Sequence, residues 1–219
     1  MNGLAATSLP SRRESLPSRR ERELSFRVSL VLDAAEEVFA EQSFASTPVA
    51  EIARRAEVSV GTLYNLFDSK EDIYRAVVSR SQEMFFRLLL ERIDEARGPH
   101  EKVKAAVTQF FDHFSHYSRQ FRLYVSATNG FQWELTSKLV GEAAESQALV
   151  ARRLVDTCQA GINQGIFKMG INAELMAITV LGVPHSFLML WLEGPGGDMK
   201  SMLPAAIAMV ERITGADGQ

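Results

Sequence analysis

Residues 47–72 read Thr47-Pro48-Val49-Ala50-Glu51-Ile52-Ala53-Arg54-Arg55-Ala56-Glu57-Val58-Ser59-Val60-Gly61-Thr62-Leu63-Tyr64-Asn65-Leu66-Phe67-Asp68-Ser69-Lys70-Glu71-Asp72. Val49, Ile52, Ala53 and Ala56 recur at helical spacing. Thr47 suits an N-cap and Pro48 a first helical residue. Ser59 is placed to cap a second helix over 60–66. Ser69 followed by Asp72 resembles a capping box for a long helix over about 70–96. The stretch therefore encodes two short helices joined by a tight turn, then the start of a third. Ala53 and Ala56 permit close approach of the first two, and Val58 and Leu63 fill the angle between them. The 60–66 helix is too short to be stable alone, so it needs its predecessor and Phe67 as supports.

The chemistry of the second helix suits a DNA groove. Ser59 and Thr62 can donate to phosphate, beside backbone N–H groups at the helix start. Gly61 has no side chain, so a duplex can approach the backbone closely. Tyr64 offers a hydroxyl to phosphate, or packs half-buried on the first helix. Asn65 can read an adenine edge bidentately, or is a solvated polar residue. Lys70 sits in the first turn of the next helix, the unfavourable end for a cation, and a nearby phosphate would explain it. Arg54 and Arg55 touch backbone or form an ordinary solvated face.

Working outward, Val28, Val31, Ala35, Val38 and Phe39 mark one face of a helix ahead of this unit. Residues 8–21 are a tandem repeat, Ser-Leu-Pro-Ser-Arg-Arg-Glu twice over, inside an arm, 1–24, that cannot supply a core and is expected to be disordered. Its Arg12, Arg13, Arg19 and Arg20 suit a minor groove. The simpler reading is a solvated extension, with Glu14 and Glu21 offsetting each pair. On the other side, helices are expected over about 101–117, 119–128, 133–165, 172–193 and 199–213, punctuated by glycines and prolines. No alternating strand pattern stands out, and the expected fold class is all-α. The expected division is an arm, 1–24, a DNA-binding unit, 25–72, and a further helical unit, 73–215.

Composition sets the bounds. The chain has 219 residues, 46% of them hydrophobic, enough for a substantial core. The single cysteine, Cys158, excludes an intramolecular disulfide and a cysteine-based zinc cluster, in keeping with a reducing cytoplasm. The Arg/Ser/Pro-rich start lacks the apolar core of a signal peptide. Ala177–Leu192 comes nearest to a membrane span but is broken by Gly182, Pro184, His185 and Ser186, so none is expected. Net charge is −3, and residues 1–80 hold 11 Lys/Arg against 12 Asp/Glu. DNA affinity must therefore come from local placement of charge and from helix N-termini.

The run Leu32-Asp33-Ala34-Ala35-Glu36-Glu37-Val38-Phe39-Ala40-Glu41, then 47–52, then Val58 to Glu71, resembles the TetR family of transcriptional regulators over about residues 28–78. Order, spacing and residue types all agree. The resemblance implies that Thr47, Thr62, Tyr64 and Lys70 grip phosphates and that Val60, Gly61 and Asn65 approach bases. Val60 stands where the family often has a basic or polar residue, and Asn65 where histidine or tyrosine is common. The resemblance also implies a regulatory domain that encloses a ligand pocket and dimerises through its last two long helices.

The remaining two-thirds can be read directly. Aromatics crowd residues 85–133: Phe85, Phe86, Phe110, Phe111, Phe114, Tyr117, Phe121, Tyr124, Phe131 and Trp133. Most suit core packing, but their density fits an apolar pocket for a small-molecule effector, itself apolar or aromatic. Pocket candidates are Phe110, His113, Phe114, Tyr117, Tyr124, Trp133 and His185, with His116, Asn129 and Gln132 as further polar groups. His113 and His116 share a helix face, but with no cysteine or third histidine near them they read as a solvated or pocket-edge pair rather than a metal site. No metal or cofactor is expected. Cys158 reads as a small buried hydrophobe. Pro184 inside the 172–193 helix implies a kink and a carbonyl near Val180 freed for a ligand, water or His185.

The apolar faces of 172–193 (Met176, Val180, Phe187, Leu188, Trp191) and 199–213 (Met202, Leu203, Ile207, Val210) suit a four-helix homodimer interface. The partners expected are double-stranded DNA, a second copy and a small-molecule effector. The leading expectation is a homodimeric repressor on a palindromic operator. The alternatives are a DNA-binding protein controlled by a protein partner or organising DNA, and an enzyme, for which no nucleophile–base pair or phosphate loop is visible.

Overall fold

The computed structural model describes residues 18–42, 44–117, 142–168, 170–194 and 197–216. All regular structure among the described residues is helical: α1 (Arg19–Glu41), α2 (Val49–Arg55), α3 (Val60–Leu66), α4 (Lys70–Glu95), α5 (Pro99–His116), α6 (Glu142–Asn163), α7 (Ala173–Glu193), a short 3₁₀ turn (Met199–Met202) and α8 (Leu203–Thr214). The expected helix over 119–128, the first part of 133–165, and residues Phe121, Tyr124, Asn129, Phe131, Gln132 and Trp133 lie outside the described residues. So do Arg12 and Arg13.

α1 begins earlier than the expected arm boundary allows. Ser18 caps it, accepting from the Glu21 N–H at 3.2 Å, while the Ser18 N–H donates to the Glu21 carboxylate at 2.6 Å. Those bonds hold the Glu21 carboxyl below its usual range, the backbone one most strongly. The second copy of the repeated heptapeptide thus contains a complete capping box, and Arg19 and Arg20 are helical.

Two cores form. The first gathers Val31, Leu32, Ala34, Ala35, Val38 and Phe39 of α1, Ile52, Ala53 and Ala56, Leu63 of α3, and Ile73 and Val77 of α4. The second gathers Phe85, Leu89 and Ile93 from further along α4 with the buried faces of α5, α6, α7 and α8. α4 therefore belongs to both, and packing changes between Val77 and Phe85. The expected boundary at residue 72 falls short of this point because the capping signal at Ser69 marks where a helix starts, not where a core ends.

In the second core, Gly161 faces Phe167 so closely that a Cβ there would stand 2.1 Å from the ring. Glycine is the residue that lets α6 turn back under its own C-terminal loop. Cys158 is buried, which pushes its thiol up to about 11 and leaves it a packed apolar group. Pro184 is buried inside a helix that continues on both sides of it.

Averaged along its length, the stretch Ala173–Leu192 is long and apolar enough to cross a membrane. The expectation from its interrupting residues differs because it counted breaks rather than the mean. In the fold, one face of the stretch, with Met176, Ala177, Val180, Leu188 and Trp191, packs into the second core.

Candidate nucleic-acid interface

α3 is built as its sequence implies. The Ser59 hydroxyl oxygen accepts from the Thr62 N–H at 2.9 Å and lies 2.8 Å from the Thr62 hydroxyl. Leu63 is the one fully buried residue of the helix and anchors it in the first core. Val60, Gly61, Tyr64 and Asn65 are exposed and, at steps of one, three and one, share the opposite face. Val60 is 41% exposed and Tyr64 49%, so Tyr64 is about half-buried while keeping half its surface open to a partner. A Cβ at Gly61 would meet only the Ser59 hydroxyl, at 3.8 Å, so nothing inside the protein requires glycine there. The Thr62 N–H is already taken by the cap, which leaves the helix start fewer free donors than expected.

Two expected contacts stand differently. Thr47 does not cap α2: the cap position is Pro48, without a side-chain bond, and Thr47 is buried to 2% exposure. Pro48 has no backbone N–H to donate. Lys70 does not point its charge outward. Its ammonium donates to the Phe44 carbonyl at 2.8 Å and the Thr47 carbonyl at 3.1 Å, and lies 4.5 Å from the Phe44 ring centre. Two carbonyls and an aromatic face account for a cation at a helix N-terminus without any phosphate. Phe44 gives no sequence signal of this role, because its partner lies 26 residues away.

Arg54 and Arg55 are both engaged. Arg54 forms a two-pronged bond with Glu51 at 2.6 and 2.9 Å. Arg55 does the same with Glu41, at 2.8 Å for each prong. The bond from Arg54 holds the Glu51 carboxyl below its usual range. The turn between α2 and α3 places Glu57 at φ 55, a left-handed conformation more usual for glycine or asparagine.

A further link was not legible in the sequence. Arg80 of α4 reaches Asp33 and Glu36 of α1, at 2.6 Å each. The pairs are 47 and 44 residues apart, beyond any local pattern. Arg80 lies on the span of α4 where one core gives way to the other, and ties that span to α1.

The effector candidates divide. Phe110 and His113 are buried and Phe114 packs partly buried against them; Tyr117 is half-buried at the end of α5. His113 is not at a solvated edge: it is 4% exposed, with its ring centre 4.8 Å from Phe85, 4.8 Å from Tyr117 and 5.1 Å from Phe114. Burial, with a smaller contribution from His116, pushes its pKa down to about 4, so the ring is neutral at pH 7. Its Nδ1 has no hydrogen-bond partner. His116, three residues on, is exposed, so the pair is split between core and solvent. His185 is partly buried on α7, and burial lowers its pKa as well. Among the described residues no group of three or more His, Cys, Asp or Glu is placed to hold a metal.

A short helix held by its cap and by one buried leucine, presenting an exposed face across a tight turn from its supporting helix, defines a helix-turn-helix unit. Residues 31–77 match the family model described as bacterial regulatory proteins, tetR family. The chain is 34% identical over 93 residues to the HTH-type transcriptional activator FasR of Mycolicibacterium smegmatis, spanning 42% of each chain. It is 26% identical over 167 residues to the fatty acid metabolism regulator protein of Bacillus subtilis, 74% of this chain and 81% of that one. Its fold is similar to that of the transcriptional regulator FadR from Bacillus subtilis, solved in complex with stearoyl-CoA: the TM-score is 0.67 at 21% identity, over 86% of this chain and 98% of that one. Residues 31–77 are thus similar to the DNA-binding unit of the tetR family of transcriptional regulators. These relatives are regulators of transcription rather than enzymes.

Proposed function

We propose that this protein is a homodimeric repressor that grips a palindromic operator through α3 and releases it when an acyl thioester enters the second core. The observation that carries the reading is the exposed face of α3. Val60, Gly61 and Asn65 approach the bases there, and Ser59, Thr62 and Tyr64 contact phosphate. Val60 packs on a thymine methyl, which supplies specificity without charge. Thr47 and Lys70 act from behind, holding the approach to α2 in place. The chemistry is binding, not turnover, and the protein works in the cytoplasm, where its DNA lies.

Release follows from the shared helix. α4 carries Ile73 and Val77 in one core and Phe85, Leu89 and Ile93 in the other, so a ligand that repacks the second core moves the first. The fatty acid metabolism regulator and the stearoyl-CoA complex support a long-chain acyl thioester as the ligand class. A second copy is needed to present two α3 helices about 34–36 Å apart, one turn of the duplex. α7 leaves Leu175, Ile178 and Leu190 exposed and α8 leaves Met209 exposed, in keeping with an interface between copies.

The test is selection of genomic fragments by the purified protein, followed by titration of the selected site with stearoyl-CoA. An inverted repeat with half-sites one helical turn apart, released by stearoyl-CoA and steeply weakened by salt, is the expected result. On that site Tyr64→Ala should weaken all DNA alike, whereas Asn65→Ala should change sequence preference, by roughly 1–3 kcal/mol at the affected base pair. No enriched sequence with or without acyl-CoA would overturn the reading. Tighter binding with stearoyl-CoA would make the protein an activator, as the name of FasR has it.

A further inference from the structure

We propose that His113 supplies a hydrogen bond to the carbonyl of the effector, so that the ligand completes a polar contact which the folded chain leaves open. This rests on the acyl-thioester reading. The observation behind it is an inconsistency within the second core. His113 is 96% buried, yet its Nδ1 meets no hydrogen-bond partner. Buried polar atoms are nearly always paired, and one that is not calls for a reason.

The surroundings narrow the reason. Phe85, Phe114 and Tyr117 stand around the ring, and among the described residues none pairs with its Nδ1. The Tyr117 hydroxyl is turned elsewhere, 3.7 Å from the Met84 sulfur. Burial keeps the imidazole uncharged, which suits a neutral carbonyl rather than a carboxylate or phosphate. On α5, one turn toward the C-terminus, His116 is exposed, where a bulky charged headgroup stays in water. Toward the N-terminus Phe110, Val107 and Val103 are buried and apolar, as a hydrocarbon chain requires, and Gln109 is a buried polar neighbour beside them. His113 lies between the two, where a thioester carbonyl joins headgroup to chain.

The experiment compares two ligands by calorimetry with the full-length protein: stearoyl-CoA, and its thioether analogue S-octadecyl-CoA, which lacks the carbonyl. The wild type should prefer stearoyl-CoA roughly three- to tenfold, the effect of one neutral hydrogen bond. His113→Phe should lose that preference while still binding the thioether, and its melting temperature at pH 7 should not fall. His113→Gln, which keeps a donor, should recover part of the preference. A preference that survives in His113→Phe overturns the inference and leaves the acyl reading standing. Loss of thioether binding in His113→Phe, with no recovery in His113→Gln, overturns it in favour of packing. A wild type that binds neither ligand overturns the acyl reading and the inference together.

Discussion

The two cores of this protein place their polar groups differently. In the first, formed by α1 to α3 and the start of α4, polar groups are used to define the backbone. Ser18, Ser59 and Ser69 cap helices; Lys70 closes on two carbonyls; Arg54 and Arg55 are clamped by glutamates. The Tyr74 hydroxyl is the exception, buried without a partner beside Phe39 and Phe44, and burial raises its pKa to about 12. In the second core the orphans are His113 Nδ1 and the Ser115 hydroxyl, one turn from the end of α5. On the proposed function, the bond left open at His113 is one that an entering ligand would make.

The sharpest way to break this contrast is to remove the anchor of the reading element. Leu63→Ala deletes the buried side chain that holds a seven-residue helix to its core. The expected loss is about 2–5 kcal/mol of stability in the first core, read by thermal unfolding, with operator binding abolished. Stearoyl-CoA binding, measured by calorimetry below the unfolding transition, should persist. If both functions fall together, the two cores are one cooperative unit and the contrast is lost.

A second test uses pH. The folded pKa of His113 lies near 4, below the ordinary histidine value of 6.5. The unfolded chain therefore binds a proton that the folded chain refuses between those values. Stability should fall as pH drops from 6.5 to about 4, by on the order of 2–3 kcal/mol from this group, and no further from it below 4. Urea unfolding of wild type and His113→Phe at several pH values isolates the effect. The two profiles should diverge across that window; parallel profiles would mean the ring is protonated at no cost when folded.

The smallest effect concerns the link between the cores. Arg80→Ala removes the ties from α4 to Asp33 and Glu36. Their partly exposed setting makes them modest contributors to stability. The expected change is about 0.5–2 kcal/mol in the coupling between effector and operator, with each binding alone little altered. DNA affinity measured with and without saturating stearoyl-CoA gives the coupling directly. An unchanged ratio would leave α4 as a rigid connector that needs no clamp.

How far the sequence reached depends on range. The α3 span, its Ser59 cap and the Ser69–Asp72 box were legible because capping is chemistry between residues three apart. The exposed face of Val60, Gly61, Tyr64 and Asn65 was legible because helical periodicity fixes which residues point together. Lys70 was misread because its partners, the Phe44 and Thr47 carbonyls, come from a loop more than twenty residues away. Thr47 was misread as a cap because the cap position falls one residue on, at Pro48, and Thr47 itself is buried. His113 was expected in a solvated or pocket-edge pair with His116; a lone sequence cannot tell that only His113 is buried, because which side of α5 meets Phe85 is set by tertiary packing.

By itself, then, the chain determined the α2 and α3 helices, the turn between them and their resemblance to the tetR family, all set by local backbone chemistry and a period of 3.6. Tertiary structure alone decided that α4 serves two cores, that Arg80 clamps α1, and that one histidine is buried with a bond unmade. Those outcomes depend on which distant surfaces meet, and a surface carries no record of its partner until the chain has folded around it.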